Sequence, residues 1–130
     1  MIVDTLVVIA VLKEESDGPG FLRALTMSTQ PKRISAANYL EAAIVVDANR
    51  NPLLSRRLDD LIVQTEILAE PVTLEQAKIA RAAYRDFGKG SGHQAGLNFG
   101  DSFAYALAKS MREPLLFKGD DFSHTDVAIA

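Results

Sequence analysis

The sequence contains no cysteine, no tryptophan and only two histidines among its 130 residues. Without cysteine there is no disulfide framework, and any zinc or catalytic site that depends on a thiolate is excluded. His93 and His124 have no nucleophilic serine pattern near them, so a hydrolase triad is not indicated. The chemistry of this chain must therefore depend on other groups.

Excess positive charge is also absent: the formal net charge is -3 and the sequence pI is near 5.3. Such a chain has no overall attraction to nucleic acid, so a nucleic-acid partner would require a local basic surface. The candidates for that surface are otherwise ordinary solvated side chains. They are Lys32, Arg33, Arg56, Arg57, Arg81, Arg85, Lys89 and Lys118.

A long uninterrupted apolar run is missing as well. The apolar opening from Ile2 to Leu12 is interrupted by Asp4 and has no basic segment before it, so it predicts neither a signal peptide nor a membrane span. Together with the lack of cysteine, this favours the cytoplasm. Hydrophobic residues make up 48% of the chain, which is enough for one packed core, and we expect a single domain over residues 1–130.

Short apolar segments alternate with helical patterns along the chain. Met1 to Leu12 predicts a strand buried on both faces, whose later half could already turn into a helix, and which is not an edge. Strands that alternate with helices predict parallel pairing and an α/β layer fold. The other predicted strands are Arg33–Ser35, Pro71–Val72 and Leu115–Phe117. The predicted helices start near Ser16–Pro19, at Ser35 or Asn38, after Asn51–Pro52 (Leu54 to Leu68), at Thr73 (to about Phe87) and at Asn98 or Asp101.

Acidic residues stand at the edges of four apolar segments, and in a parallel sheet such edges can meet on one rim. They are Asp4, Glu41, Asp101 and one of the pair Asp120/Asp121. Taken singly, each has an ordinary structural explanation as a buried and bonded Asp, an exposed helical Glu, a helix cap or a polar turn. Asp4 is the most informative, because a carboxylate in an apolar strand must be paired, bound to metal or at a solvated end. Together the carboxylates predict a site for Mg²⁺ or Mn²⁺.

Three familiar motifs fit less well. Gly90-x-Gly92-x-x-Ala95 has the spacing of a dinucleotide-binding loop, but a helix precedes it where that motif needs a strand. Gly88-Lys89-Gly90 lacks the rest of a phosphate-binding loop. Asp4-Thr5-Leu6 is only weakly similar to haloacid-dehalogenase phosphatases, since Leu6 replaces their second Asp.

Four further segments carry a recognisable pattern; in order along the chain they are Met1–Thr5, Ser35–Glu41, Leu97–Ala108 and Leu115–Phe122. They closely resemble the PIN-domain toxins of the VapC type, and the resemblance covers nearly the whole chain. It implies a Rossmann-like α/β/α sandwich with a mainly parallel central sheet, and a Mg²⁺- or Mn²⁺-dependent endoribonuclease that acts on RNA. It also implies a cognate VapB-type antitoxin and assembly as a homodimer or a toxin–antitoxin hetero-oligomer.

The resemblance also assigns roles to the acids. Asp4 and Asp101 correspond to the principal metal ligands and Glu41 to the third acid, while Asp120 is favoured over Asp121 as the fourth. Leu6 departs from the family pattern, which commonly has Ser or Asn there, and so bears on catalytic competence. Two alternatives stay open: a weakened PIN fold that acts mainly as an antitoxin-binding, autoregulatory partner, and a metal-dependent phosphatase.

Overall fold

The computed structural model describes residues 1–130 and contains four strands, six α-helices and one 3₁₀ turn. The strands are β1 (Ile2–Val3), β2 (Lys32–Ser35), β3 (Ile67–Glu70) and β4 (Leu115–Leu116). The helices are α1 (Thr5–Leu12), α2 (Gly18–Met27), α3 (Ala36–Asp47), α4 (Pro52–Gln64), α5 (Leu74–Phe87) and α6 (Phe99–Met111), and the 3₁₀ turn is Asp121–His124. None of these helices has the length and hydrophobicity needed to cross a lipid bilayer.

The sheet is parallel throughout, with the strand order β3-β2-β1-β4. The predicted α/β fold with a parallel sheet is therefore confirmed, and β1 is an interior strand as expected. Successive strands first extend the sheet to one side of β1, and β4 then pairs on its other side. The carboxyl end of β1 is thus the point where the strand order reverses, which is where α/β sheets usually bind ligands.

Two hydrophobic clusters lie on the two faces of the sheet. Adjacent residues of β1 point to opposite faces, so Val3 belongs to one cluster and Ile2 to the other. Val7, Val8 and Leu12 of α1 lie in the first cluster with residues of α2, α3 and α4. The second cluster contains residues of α5 and α6. This arrangement makes the fold an α/β/α sandwich, and α1 is buried along almost its whole length.

Three predicted elements have the wrong bounds. The opening strand is only two residues long, because the chain turns into α1 directly after Asp4, whose side chain accepts a hydrogen bond from the Leu6 amide and caps the helix. The fourth helix ends at Gln64, so Leu68 lies in β3, and Pro71–Val72 follows that strand instead of forming one. Glu66, with a φ of 55°, makes the left-handed turn that separates α4 from β3.

Candidate metal centre

Asp4 lies at the carboxyl end of β1 and at the start of α1, and it is only 2% exposed. Its amide donates to the Leu116 carbonyl of β4, and its side chain accepts from the Leu6 amide. The backbone is thus held by the sheet on one side and by the helix on the other. Both constraints keep the carboxylate at the strand-order reversal.

Asp101 comes from the first turn of α6 and is 8% exposed. It forms a capping box with Asn98: the Asp101 amide donates to Asn98 Oδ1 at 2.8 Å, and the Asn98 amide donates to Asp101 Oδ2 at 2.9 Å. The reciprocal bonds fix the rotamer of the carboxylate. They engage Asp101 Oδ2, while Oδ1 makes no hydrogen bond.

Glu41 lies in the second turn of α3, and its carboxylate packs against the backbone of Gly100. A Cβ atom added at Gly100 would lie 2.2 Å from Glu41 Oε2, which is well inside contact distance. The absence of a side chain at position 100 therefore leaves the space that the Glu41 carboxylate occupies. This places Glu41 directly beside the start of α6, next to Asp101.

A buried asparagine joins the helices that carry these acids. Asn38 Nδ2 donates to the Gly100 carbonyl at 2.9 Å, and the Thr5 hydroxyl donates to the Asn38 carbonyl at 3.3 Å. α1, α3 and α6 are thereby connected at their N-terminal ends, immediately beneath Asp4, Glu41 and Asp101. Ser35, rather than Asn38, caps α3.

Asp4, Glu41 and Asp101 line one small cleft with a volume of about 190 Å³. Leu6, which is 47% exposed, stands on its wall with Asn98. No group of three or more His, Cys, Asp and Glu side chains is arranged so that it could hold a metal ion as it stands. The cleft therefore gathers acids from three remote parts of the chain without forming a finished coordination sphere.

The electrostatics of the cleft disfavour ionised carboxylates. Burial raises the pKa of Asp4 from 3.8 to about 7, and the negative charges of Asp101 and Glu41 add to this shift against opposing backbone hydrogen bonds. Burial also raises the pKa of Asp101; its hydrogen bond from Asn98 opposes the increase, and the charges of Asp121 and Glu41 add to it. Lys89 is a nearby positive charge that acts in the opposite direction on Asp101.

Neither residue of the Asp120/Asp121 pair lines the cleft. Asp120, the residue favoured from the sequence, is exposed and its Oδ2 lies 2.8 Å from Nε2 of His124. Asp121 is the one whose charge acts on Asp101. Asp120 and Asp121 have different surroundings: Asp120 precedes the 3₁₀ turn and Asp121 is its first residue. The sequence does not reveal where this turn begins.

Some residues of the site were not found by sequence reasoning. Asn38 was considered only as a helix cap, although its spacing of three from Glu41 puts both on one helix face. Asn98 and Asp101 were both candidates for the first residue of the helix. Their reciprocal hydrogen bonds form because Asn98 is the cap and Asp101 lies three residues further on, an assignment that the sequence left open. The role of Gly100 has no sequence signal apart from its position next to Asp101.

The PIN domain family model matches residues 1–128. The chain therefore belongs to the PIN domain family. It is similar to Ribonuclease VapC28 of Mycobacterium tuberculosis, with 57% identity over 127 residues that cover 98% of this chain and 95% of the relative. Ribonuclease VapC42 from the same species is 46% identical over 98% of this chain and 96% of that protein.

Two solved structures share the fold at low sequence identity. One is VapC20 of Mycobacterium tuberculosis, a toxin that cleaves the sarcin-ricin loop, with a TM-score of 0.77, 14% identity and coverage of 99% of this chain and 97% of that one. The other is a toxin–antitoxin complex from Klebsiella pneumoniae, with a TM-score of 0.73, 15% identity and coverage of 99% and 95%. At these identities the likeness supports the fold.

Proposed function

We propose that this chain is a divalent-metal-dependent endoribonuclease that hydrolyses RNA phosphodiester bonds at the acidic cleft. The observation that carries this proposal is that Asp4, Glu41 and Asp101, far apart in sequence, line one cleft at the carboxyl end of β1. The relatives named as VapC ribonucleases match this chain over nearly its full length, which supports the same activity.

The donor set suits Mg²⁺ or Mn²⁺. Every candidate ligand is a carboxylate oxygen, and hard cations prefer such donors. Asp4, Glu41 and Asp101 would hold the ion. Asp121 is the further acid whose charge acts on Asp101, and we propose it in place of Asp120. When bound, the cation supplies Lewis acidity that lowers the pKa of a water molecule and offsets charge on the phosphate oxygens.

The side chains of the cleft prepare it for that role. The sheet and the α1 cap hold Asp4 in place, and the capping box leaves Asp101 Oδ1 without a hydrogen-bond partner. Because Asp4 has a pKa of about 7, its carboxyl group holds a proton in part at neutral pH, and that proton must leave before a cation binds. Lys89 would contact the substrate phosphate next to Asp101, where it offsets negative charge.

The test is an RNA cleavage assay. Purified protein freed of any antitoxin is incubated with structured RNA and Mn²⁺, beside an EDTA control. Asp101→Asn keeps the size and capping capacity of the side chain but removes a charged ligand, so it should abolish cleavage. Asp59→Asn, an exposed carboxylate of α4 outside the cleft, is the matched control and should cleave normally. Equal cleavage by the two variants would disprove the role of Asp101.

We further propose that the chain is the toxin of a toxin–antitoxin pair. The solved toxin–antitoxin complex that shares its fold supports an antitoxin partner. Expression of this chain alone should arrest growth, and co-expression of an adjacent short open reading frame should relieve the arrest. Normal growth at a high yield of folded protein would contradict toxicity.

A second candidate function rests on Leu6. This half-exposed apolar side chain lies on the cleft wall, where it offers neither a ligand nor a hydrogen bond to a hydrated ion. The chain would then be a weakened PIN fold that acts mainly as an antitoxin-binding partner. In that case Leu6→Ser should increase Mn²⁺-dependent cleavage several-fold, whereas an unchanged rate would leave the fully active nuclease as the better assignment.

A further inference from the structure

A second hollow lies between α5 and α6, with a volume of about 530 Å³. Its most prominent member is Phe99, which is 74% exposed although it is a large aromatic side chain. Phe99 meets Phe103 edge to face, with ring centroids 4.9 Å apart, which leaves the outer face of the Phe99 ring open to solvent. We call this hollow the aromatic groove; its lining residues are Ala77, Ala80, Arg81, Tyr84, Phe99, Ser102 and Phe103.

The aromatic groove and the acidic cleft share a wall. Asn98 and Asp101 line the cleft, whereas Phe99 and Ser102, each the next residue along the chain, line the groove. The first turn of α6 thus separates the two hollows. A nucleotide next to a phosphate held in the cleft would reach the groove.

Arg81 brings one positive charge to the groove, and the same residue lines a neighbouring hollow on α5 together with Lys78 and Arg85. Lys78 and Arg81 are exposed on successive turns of α5, and neither takes part in an ion pair. Arg85 continues the same row, although it is paired with Asp86. An exposed aromatic surface beside unpaired cations is the combination with which proteins bind single-stranded nucleic acid.

We infer that the aromatic groove receives one unpaired base of the RNA next to the scissile phosphate, stacked against Phe99, while Lys78 and Arg81 contact the adjoining backbone. This inference rests on the proposed function, since it identifies the substrate as RNA that is single-stranded beside the cleavage point. The occupant is argued from charge: unpaired Arg81 in the groove and Lys78 in the adjoining hollow complement the negative backbone of RNA, and a second copy of this chain is the alternative that the test distinguishes.

The test measures binding in EDTA, so it does not depend on cleavage. The probe is a fluorescein-labelled oligouridylate of twelve nucleotides, and its Kd is measured by anisotropy. Phe99→Ala and Phe99→Leu should both raise the Kd by roughly 5- to 150-fold, the range for loss of one base stack. Phe99→Tyr retains an aromatic face and should bind as the unchanged protein does. Val63→Ala, an exposed apolar residue of α4, is the control.

A second arm identifies the contact directly. The same oligonucleotide with 5-iodouridine is photocrosslinked, and the attached peptide is identified by mass spectrometry; we expect it to contain Phe99 or Tyr84. Arg81→Ala should lower the slope of log Kd against log salt by about 1 if Arg81 contacts a phosphate. Arg56→Ala, an exposed and unpaired cation of α4, should leave that slope unchanged.

Three results would overturn the inference. Phe99→Leu binding as tightly as the unchanged protein would show that stacking is not involved, and crosslinks found only outside the groove would place the base elsewhere. Dissociation of a dimer by Phe99→Ala, with unchanged RNA affinity per chain, would identify the groove as an interface between copies. Binding is measured in EDTA, so it does not depend on cleavage. If the unchanged protein fails to cleave RNA in Mn²⁺ while the Phe99 variants lose affinity as expected, only the proposed nuclease activity is refuted.

Discussion

Asp4→Asn should stabilise the metal-free protein at neutral and alkaline pH, although it removes a residue of the proposed metal centre. In the folded chain burial raises the pKa of Asp4 from 3.8 to about 7, so the folded state binds the proton more tightly than the unfolded state does. Stability therefore falls as the pH rises from about 4 to about 7, and above that range the full cost of the buried charge is present. Asn carries no charge, so the variant lacks this cost.

The magnitude follows from the size of the shift. A difference of about 3 pKa units, each worth about 1.4 kcal/mol, gives a gain of up to about 4 kcal/mol at pH 8. At pH 5 the pH lies only about one unit above the lower of the two pKa values, so the stability gained by Asp4→Asn should shrink to about 2 kcal/mol. Below pH 4 the gain should vanish, because Asp4 is then protonated in both states. Asn caps helices about as well as Asp, so α1 should keep its cap.

Urea unfolding in EDTA at pH 4, 5 and 8 measures these free energies for the unchanged protein and for Asp4→Asn. Asp59→Asn, which removes an exposed carboxylate, controls for the change in net charge. A free-energy difference that is independent of pH, or one that favours Asp4 at pH 8, would refute the reasoning. Adding Mn²⁺ at pH 8 should stabilise the unchanged protein, by about 2.7 kcal/mol at 100 times the Kd, and should stabilise Asp4→Asn less.

The remaining predictions concern the neighbours of Asp4. Gly100→Ala should displace the carboxylate of Glu41, because the new Cβ would lie 2.2 Å from Oε2, and cleavage in Mn²⁺ should fall at least tenfold while the circular dichroism spectrum stays unchanged. Asp121→Asn should lower cleavage more than Asp120→Asn does, since only the charge of Asp121 acts on the cleft. Asn38→Ala should cost about 1–3 kcal/mol in urea unfolding, because the Gly100 carbonyl loses its buried donor.

Each of these has a control and a contrary result. Gly20→Ala lies in α2 with open space around its Cβ, so normal cleavage is expected there, and normal cleavage by Gly100→Ala would contradict the packing argument. A larger loss in Asp120→Asn than in Asp121→Asn would favour Asp120, the residue chosen from the sequence. For Asn38, an unfolding free energy within about 0.5 kcal/mol of the unchanged protein would show that the bond to Gly100 contributes little.

The sequence predicted the general architecture better than the start of the chain. Alternating short strands and capped helices were recognisable because Asp17, Ser35, Thr73 and Asn98 precede their helices. α1 was misread in part because its β-branched, apolar residues are typical of a buried strand. α1 is apolar on every side and mostly buried, so it has no polar face, and hydrophobic periodicity cannot distinguish it from such a strand.

The predicted position of β3 was wrong for a different reason. The apolar spacing of α4 continues through Leu68, and the helix ends earlier because Glu66 adopts a left-handed conformation that non-glycine residues seldom take. For the site, Asp4, Glu41 and Asp101 were proposed because each stands at the edge of an apolar segment of the sequence, and the structure brings the three into one cleft. The choice within the Asp120/Asp121 pair depends on the course of a loop, and hydrophobic patterns do not encode that course.

The direct passage from β1 into α1 has a consequence for control of the protein. No loop lies between the last strand residue and the first helical turn, so Asp4 stands at a rigid joint with no hinge on either side. Opening and closing of the cleft by movement of this segment would require breaking the central sheet. We therefore expect an inhibitor to act by occupying the mouth of the cleft from outside, without moving this segment.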